Sequence, residues 1–364
     1  MYNLEQSGYT EAQVQAALRT HRTVSYGYDL LDKNDTTIGQ IQVSSCRIYN
    51  NSEASIQRSI RLETQNDKDI DYASDRIRPY MKLKMGNQYL NYPLGIFLMS
   101  SPTRQEDSGS VRRSIEGYDK MQILSDDKFT ARYEVAAGVS YTAAVVAILL
   151  SAGITKYNIP QTALETQTIL EWPIGTTKLK ACNDLLEAVN YVPLYCDSYG
   201  YVRSDVYMLP EARGIDATYV TDKDSIIQLG SEEELDIFGA PNCIVRYLEN
   251  AERQYLISTA TNNDPNSKLS TVSRGRTIVD VAAVQDIANQ SSLDAYVARI
   301  MAEKKVYQKV IFDTLNMPNH ENNDCLYVDL GTLGASGKFI EESWEMDLST
   351  GGTMRHICRK AVSI

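Results

Sequence analysis

Histidine is scarce in this sequence, which leaves few candidates for the imidazole base of a hydrolase. The 364 residues contain three histidines, His21, His320 and His356, so a Ser-His-Asp or Cys-His constellation has to use one of them. No HExxH occurs, and no second histidine stands at ligand spacing. The six cysteines (Cys46, Cys182, Cys196, Cys243, Cys325, Cys358) form no CxxC pair, which predicts free thiols in a reducing compartment and not a disulfide framework. Phosphate-cradling loops are missing too. Gly331–Gly337 holds three glycines, but no Lys-Ser/Thr follows and a strand pattern comes next, so it is expected to be a hairpin loop. The longest apolar run, Ala143–Leu150, is too short to span a bilayer. No charged leader precedes an apolar core at the N-terminus, so neither a signal peptide nor a membrane anchor is expected. A basic excess is lacking: 36 basic against 47 acidic residues leave a net charge of −11, which argues against a general nucleic-acid binder.

What is present is tyrosine and strand pattern. The chain has 24 Tyr against 5 Phe and 2 Trp; tyrosine serves both strands and broad contact surfaces. Thr10-Glu11-Ala12-Gln13 before Val14, Ala17 and Leu18 predicts a capped helix. Extended segments follow at Val24–Leu31, Ile38–Tyr49 and Ser55–Thr64. In Met81–Arg104, Tyr80–Met85 alternates as a half-buried strand, Gly86-Asn87 suits a hairpin turn, and Leu94–Ser100 is expected to be the second strand. With Ser110–Tyr118, about six strands fall before residue 120, the count of a small barrel or sandwich.

The pattern changes at Asp119. Helices are expected at Met121–Ser125, at Thr142–Ser151 (capped by Thr142, stopped by Gly153) and at Thr177–Asn190, whose stripe is Leu179, Cys182, Leu185, Leu186 and Val189. A β ending, Val192–Cys196 and Tyr201–Tyr207, closes this α+β unit. Strands resume near Ile226, with Asn242–Glu249 and Arg253–Thr259 around a turn at Asn250-Ala251. Ile278–Val281 leads to a helix Ser292–Lys304, capped by Ser291 or Ser292. Gln308–Leu315, Cys325–Asp329, Lys338–Asp347 and Met354–Val362 are the last strands. The fold class is therefore α+β, mainly β: a helix and first β unit at 1–125, an α+β domain at 126–222 joined by the helical segment 260–304, and a second β unit from 223–259 and 305–364.

No site rises above ordinary structure. His320-Glu321-Asn322-Asn323-Asp324 holds possible metal ligands, yet it follows Pro318 and precedes a strand, so a turn is the simpler reading. Glu232-Glu233-Glu234 reads as a solvated face or helix start. Glu341-Glu342 and Glu345 match no glycosidase or metal spacing. No catalytic residue, metal or cofactor is expected.

Several segments nevertheless resemble a known family. Tyr92-Pro93-Leu94-Gly95-Ile96-Phe97-Leu98 followed by Ser100-Ser101-Pro102 is similar to a hairpin of the central hub proteins of phage tails. So are Ser114-Ile115-Glu116-Gly117-Tyr118-Asp119, Gly175-Thr176-Thr177, Asp197-Ser198-Tyr199-Gly200-Tyr201, Ala240-Pro241-Asn242, Asn262-Asn263-Asp264-Pro265, Pro318-Asn319-His320, and Ser343-Trp344 with Met354-Arg355-His356. The resemblance runs from about residue 20 to the end. It implies structural positions at Tyr92, Pro93, Leu94, Gly95, Phe97, Gly117, Tyr118, Asp119, Pro318, His320 and Trp344. It also implies a homotrimeric hub of two similar small antiparallel β-barrels per chain, giving a pseudo-sixfold ring with a central channel. Implied partners are a hexameric tail tube or distal tail protein and a threefold spike or tail-fibre protein. The particle would be a phage or a phage-tail-like bacteriocin, its parts made in the host bacterial cytoplasm. Family hubs of the lysin type continue into a peptidase or glycosidase domain, so here that activity would be missing or lie on another chain. An acidic lumen would let DNA pass without binding. Competing readings are a tail-associated cell-wall hydrolase using His320, and a carbohydrate- or receptor-binding baseplate module.

Overall fold

The computed structural model describes the chain except for residues 66–69, 108–109, 236–237, 249–254, 285, 305–307 and 361–364. The expected turn at Asn250-Ala251 and the strand end Ala361-Val362 lie outside the described residues. Helix α1 (Glu11–Arg19) opens on the expected capping box: the Thr10 hydroxyl accepts the Gln13 N–H, and the Gln13 side chain accepts the Thr10 N–H. Its buried Val14 and Leu18 join the hydrophobic core that both β sets share. That set is β1 (Val24–Leu31), β2 (Thr37–Gln40), β3 (Val43–Asn51), β4 (Arg58–Gln65), β5 (Arg76–Met85), β6 (Gln88–Pro93), β7 (Phe97–Met99), β8 (Thr103–Asp107) and β9 (Ser110–Tyr118).

Gly86, with φ +59°, does sit in a two-residue hairpin turn. The strand it leads into is β6, however, with Met85 opposite Gln88 and Leu83 opposite Leu90. The apolar run expected to be the hairpin's second arm instead supplies β7, which meets β5 only at Ile77 and Arg76. Leu90 and Tyr92 turn inward while Tyr89 and Asn91 stay exposed, an alternation hidden by the Tyr-Pro-Leu-Gly step that ends it.

A separate core then forms around α2 (Met121–Asp126), α3 (Tyr141–Ser151) and α4 (Lys178–Glu187). Between and after them come the short strands β10 (Tyr133–Val135), β11 (Tyr157–Asn158), β12 (Leu170–Trp172), β13 (Tyr195–Cys196) and β14 (Val202–Arg203). Thr177, expected as the first helical residue, instead caps α4, its hydroxyl accepting the Lys180 N–H. Thr142 does not cap α3: Ser140 holds that position without a side-chain bond, and the Thr142 hydroxyl accepts the Thr162 N–H.

The second β set comprises β15 (Ala217–Val220) and β16 (Glu232–Leu235), and later four more strands. Glu232-Glu233-Glu234 is solvated, but as a strand and not a helix start. Two strands assigned by pattern to this last β unit lie elsewhere. β17 (Cys243–Leu248) and β18 (Leu256–Thr261) pair with β19 (Val279–Ala283) in a sheet of their own, after the one-turn α5 (Thr271–Arg274). Helix α6 (Gln290–Lys304) covers that sheet through Leu293, Val297 and Ile300. Its first turn is held by Asn289, whose Oδ1 accepts the Ser292 N–H, and not by either serine. The chain returns through β20 (Gln308–Leu315), β21 (Cys325–Leu330), β22 (Ala335–Asp347) and β23 (Thr353–Lys360).

Two similar small antiparallel β-barrels were the expectation, and no closed barrel is found among the described strands. They make one 15-stranded sheet with the path β16-β20-β23-β22-β3-β4-β9-β7-β5-β1-β2, with β15 on β21, β6 on β5 and β8 on β9 as branches. The two β sets are fused edge to edge by antiparallel β22 and β3, Ser343 opposite Asn51 through Asp347 opposite Arg47. One hydrophobic core runs through both, from Leu62 and Phe97 to Phe312, Phe339 and Met346.

Candidate functional site

The motif positions converge on a residue that no motif contained. Arg58, the first residue of β4, is 1% exposed. Its backbone N–H donates to Asp119 Oδ2 at 2.9 Å, and Asp119 Oδ1 accepts the Met121 N–H at 2.8 Å, so one carboxylate ties the start of β4 to the start of α2. Burial pushes Asp119 up to about 6, against the two N–H groups and the Arg58 charge. The Arg58 guanidinium donates to the Leu94 carbonyl (3.3 Å), to Ser198 Oγ (2.8 Å) and to Glu321 Oε2 (2.8 Å), and lies 5.3 Å from the Trp344 ring centre. Glu321 Oε1 accepts the Ser198 N–H at 3.0 Å, and the Glu321 carbonyl accepts Trp344 Nε1–H at 3.1 Å. A single cation thus joins the first β set, the α+β unit and the second β set, through planar multi-point donation that arginine suits and lysine does not.

Gly95 and Gly117 make room for this joint. Gly95 has φ +133°, and a Cβ there would lie 2.7 Å from Phe97 Cζ and 3.2 Å from Arg58 Cδ. At Gly117 a Cβ would lie 2.7 Å from Ile60 Cγ2 and 2.9 Å from the Leu98 carbonyl oxygen. The other motif positions are placed apart from Arg58. The Tyr92 hydroxyl donates to the Leu4 carbonyl at 2.9 Å, and the Pro93 carbonyl accepts from Tyr2. Tyr118 is half-buried beside Glu116, and Pro318 is buried in the turn before His320.

A second charged knot fastens the α+β unit to the same β set. Asp35, between β1 and β2, accepts from Arg76 Nη1 at 2.6 Å, Lys120 Nζ at 2.6 Å and Lys156 Nζ at 3.3 Å. Lys120 also donates to the Gly200 carbonyl at 2.8 Å. Burial alone would raise the Asp35 carboxyl; Lys120 and Arg76 outweigh it and hold the group below its ordinary range.

His320 belongs to a buried polar cluster. Its Nδ1 lies 2.6 Å from Glu341 Oε2, the other oxygen of Glu341 lies 2.5 Å from His356 Nδ1, and all three residues are buried. The far nitrogens are also engaged, His320 Nε2 by the Tyr219 hydroxyl at 2.6 Å and His356 Nε2 by Thr314 Oγ1 at 2.8 Å. Burial lowers His320, but the Glu341 charge and hydrogen bond raise it further, so its net shift is upward. His356 is lowered, chiefly by burial. Glu341 would be raised by burial, yet the two imidazoles hold it down at about 2. The Glu341 carboxylate thus favours the charged form of His320, while burial favours the neutral form of His356.

Three ligand-type atoms within 4.8 Å of one another resemble a metal set. Ligand atoms sharing a tetrahedral zinc at bonds of about 2.0 Å stand about 3.3 Å apart. The N···O separations of 2.5 and 2.6 Å are hydrogen bonds. A surface cleft lined by Arg19, Thr218 and Tyr219 approaches the cluster, but Tyr219 is 1% exposed and its hydroxyl is taken by His320. Pattern reading passed over Arg58, and it weighed Glu341 and His356 without bringing them together. The signal for the last two was register: Glu341 and His356 occupy inward positions of strands whose other inward residues are Phe339, Trp344, Met346, Met354 and Cys358.

Comparison with solved structures identifies the fold. The chain is similar to the tail protein from Neisseria meningitidis MC58, with a TM-score of 0.66 over 92% of this chain and 97% of that one at 12% identity. It is similar to the 43 kDa tail protein of prophage MuSo2 from Shewanella oneidensis, at 0.63 over 92% and 98% with 11% identity. A prophage tail protein from Listeria monocytogenes EGD-e matches at 0.57 over 93% and 95% with 12% identity. No protein-family profile matches the sequence, and no curated protein does. The architecture is that of phage tail proteins, in agreement with the resemblance read from the motifs.

Proposed function

We propose that this chain is a structural hub at the tip of a phage tail or phage-tail-like particle. The observation that carries the reading is the fold: it is shared end to end with tail proteins, and it consists of two β sets already joined edge to edge within one chain. Three copies would supply six such sets, a pseudo-sixfold platform around a channel that matches a hexameric tube on one face and a threefold spike or fibre on the other. The role is structural and not enzymatic. His320, the base that a hydrolase would need, is buried with both ring nitrogens hydrogen-bonded. No helix among the described residues is long and apolar enough to cross a membrane.

Immunogold labelling of particles tests the placement. Label is expected at the distal end of the tail; label on the head or along the tube, or none on particles, contradicts it. Digestion of peptidoglycan by the purified chain, lost in a folded His320→Ala variant, would overturn the structural reading.

A further inference from the structure

The junction between the β sets contains a strand pattern that occurs twice. β22 changes partner along its length: 335–340 pairs with β21, and 343–347 pairs with β3. The first set has the same order, with β7 pairing with β5 and β8 continuing along β9. The one-residue bulges coincide. Met99 lies opposite Gly117 and Arg104 opposite Arg113, five residues against four; Glu341 lies opposite Cys358 and Met346 opposite Met354, again five against four. Setting the two bulges equal puts buried Phe97 on buried Phe339, Ile77 on Leu326, and Thr64 on Thr314. β16 then stands where β3 stands: Glu233 faces Val310 as Ile48 faces Ile60. β8 stands where the 343–347 half of β22 stands.

The counterpart of the β3–β22 junction is therefore β16 with β8. Within one chain these strands are not paired with each other, and each is paired along one edge only among the described residues. Glu232, Glu233, Glu234 and Leu235 are exposed, as are Thr103, Arg104, Gln105 and Glu106. We propose that β16 of one copy pairs antiparallel with β8 of a second copy, Glu233 opposite Arg104 as Ile48 is opposite Met346. The inference rests on the trimeric reading above and names its contact. Charge bears on the choice of partner. Three glutamates on the β16 edge, of which Glu234 is paired with Lys309, oppose pairing with another β16. β8 carries Glu106 and Asp107 at its far end, but it sets Arg104 opposite Glu233, with the exposed Arg112 of adjoining β9 beside it. The contact joins two different edges, as a closed threefold ring requires.

Sedimentation of the wild type, cysteine cross-linking and charge reversal together test it, with half-exposed Cys243 replaced by Ser throughout the cross-linking arm. Opposed residues of an antiparallel pair stand about 4.5–5.5 Å apart at Cα, within disulfide reach. A trimeric wild type is expected. Glu233→Cys chains mixed with Arg104→Cys chains should form disulfide dimers on oxidation, and neither alone should. Glu233→Arg should reduce the mass to one chain with an unchanged circular dichroism spectrum, and Glu233→Arg/Arg104→Glu should restore it. A wild-type trimer that survives Glu233→Arg and yields no cross-link would overturn this contact and leave the trimeric reading standing. A wild type that stays a single chain at every concentration would overturn both.

Discussion

Arg58 is the residue on which the three units depend. Replacing it with methionine leaves the Glu321 carboxylate, itself 12% exposed at the side chain and already pushed upward by burial, without its cation. Loss of one partner of a buried pair costs about 3–5 kcal/mol. Urea unfolding of Arg58→Met should show a loss of that order, and Glu321→Gln added to it should recover part. The His320–Glu341–His356 cluster gives stability a two-sided pH dependence. His320 is raised in the folded chain, so its contribution is complete below its unfolded value of 6.5 and is lost as pH rises through the folded value. His356 is lowered, so its contribution is present above 6.5 and is lost as pH falls through its folded value. Asp119, raised to about 6, adds its own decline as pH rises up to about 6; above 6.5, unfolding midpoints should lose the alkaline decline in His320→Gln, and below 6.5 they should lose the acid decline in His356→Gln. Declines that persist in both variants would remove the cluster from the account.

At the scale of elements, local pattern located most strands and helices but not their partners. β1 and β20 match their sequence limits at both ends, because alternation and turn residues are local. The sheet a strand joins is decided by long-range packing, which is why β17 and β18 were assigned to the second β set when they build an insertion with α6. β16 escaped for another reason: with both faces exposed it carries no apolar period. Arg58 gave no signal, since an arginine at a strand start is ordinary until its three partners, from distant segments, are in place. The insertion has its own core in Ile244, Leu248, Ile287, Leu293 and Val297, so it should open independently of the rest. Leu293→Ala, a core truncation of about 2–5 kcal/mol, should speed amide hydrogen exchange in β17, β18, β19 and α6. Protection in β4, β9, β20 and β23 should be unchanged; faster exchange across the whole chain would show that the insertion is not a separate cooperative unit.

At the scale of the molecule, the sheet is one surface with an internal near-repeat, and the β22–β3 join shows that two β sets of this kind can associate through strand edges. The outer side of that join is laced by Arg47 paired with Glu345 and Asp347, and the row of charges continues into the first set with Arg61 on β4 and Glu116 on β9. Exposed pairs of this sort add little stability, but they leave a polar face and not a sticky one along the join. The sequence resemblance points to a hub, and the fold is shared with phage tail proteins; the proposed trimeric ring is tested by its mass. Sedimentation equilibrium of the purified chain, with images of the same sample, tests it most directly. The account predicts three chain masses and a ring of six lobes around a central hole; a single chain mass at every concentration, with no ring, would contradict it.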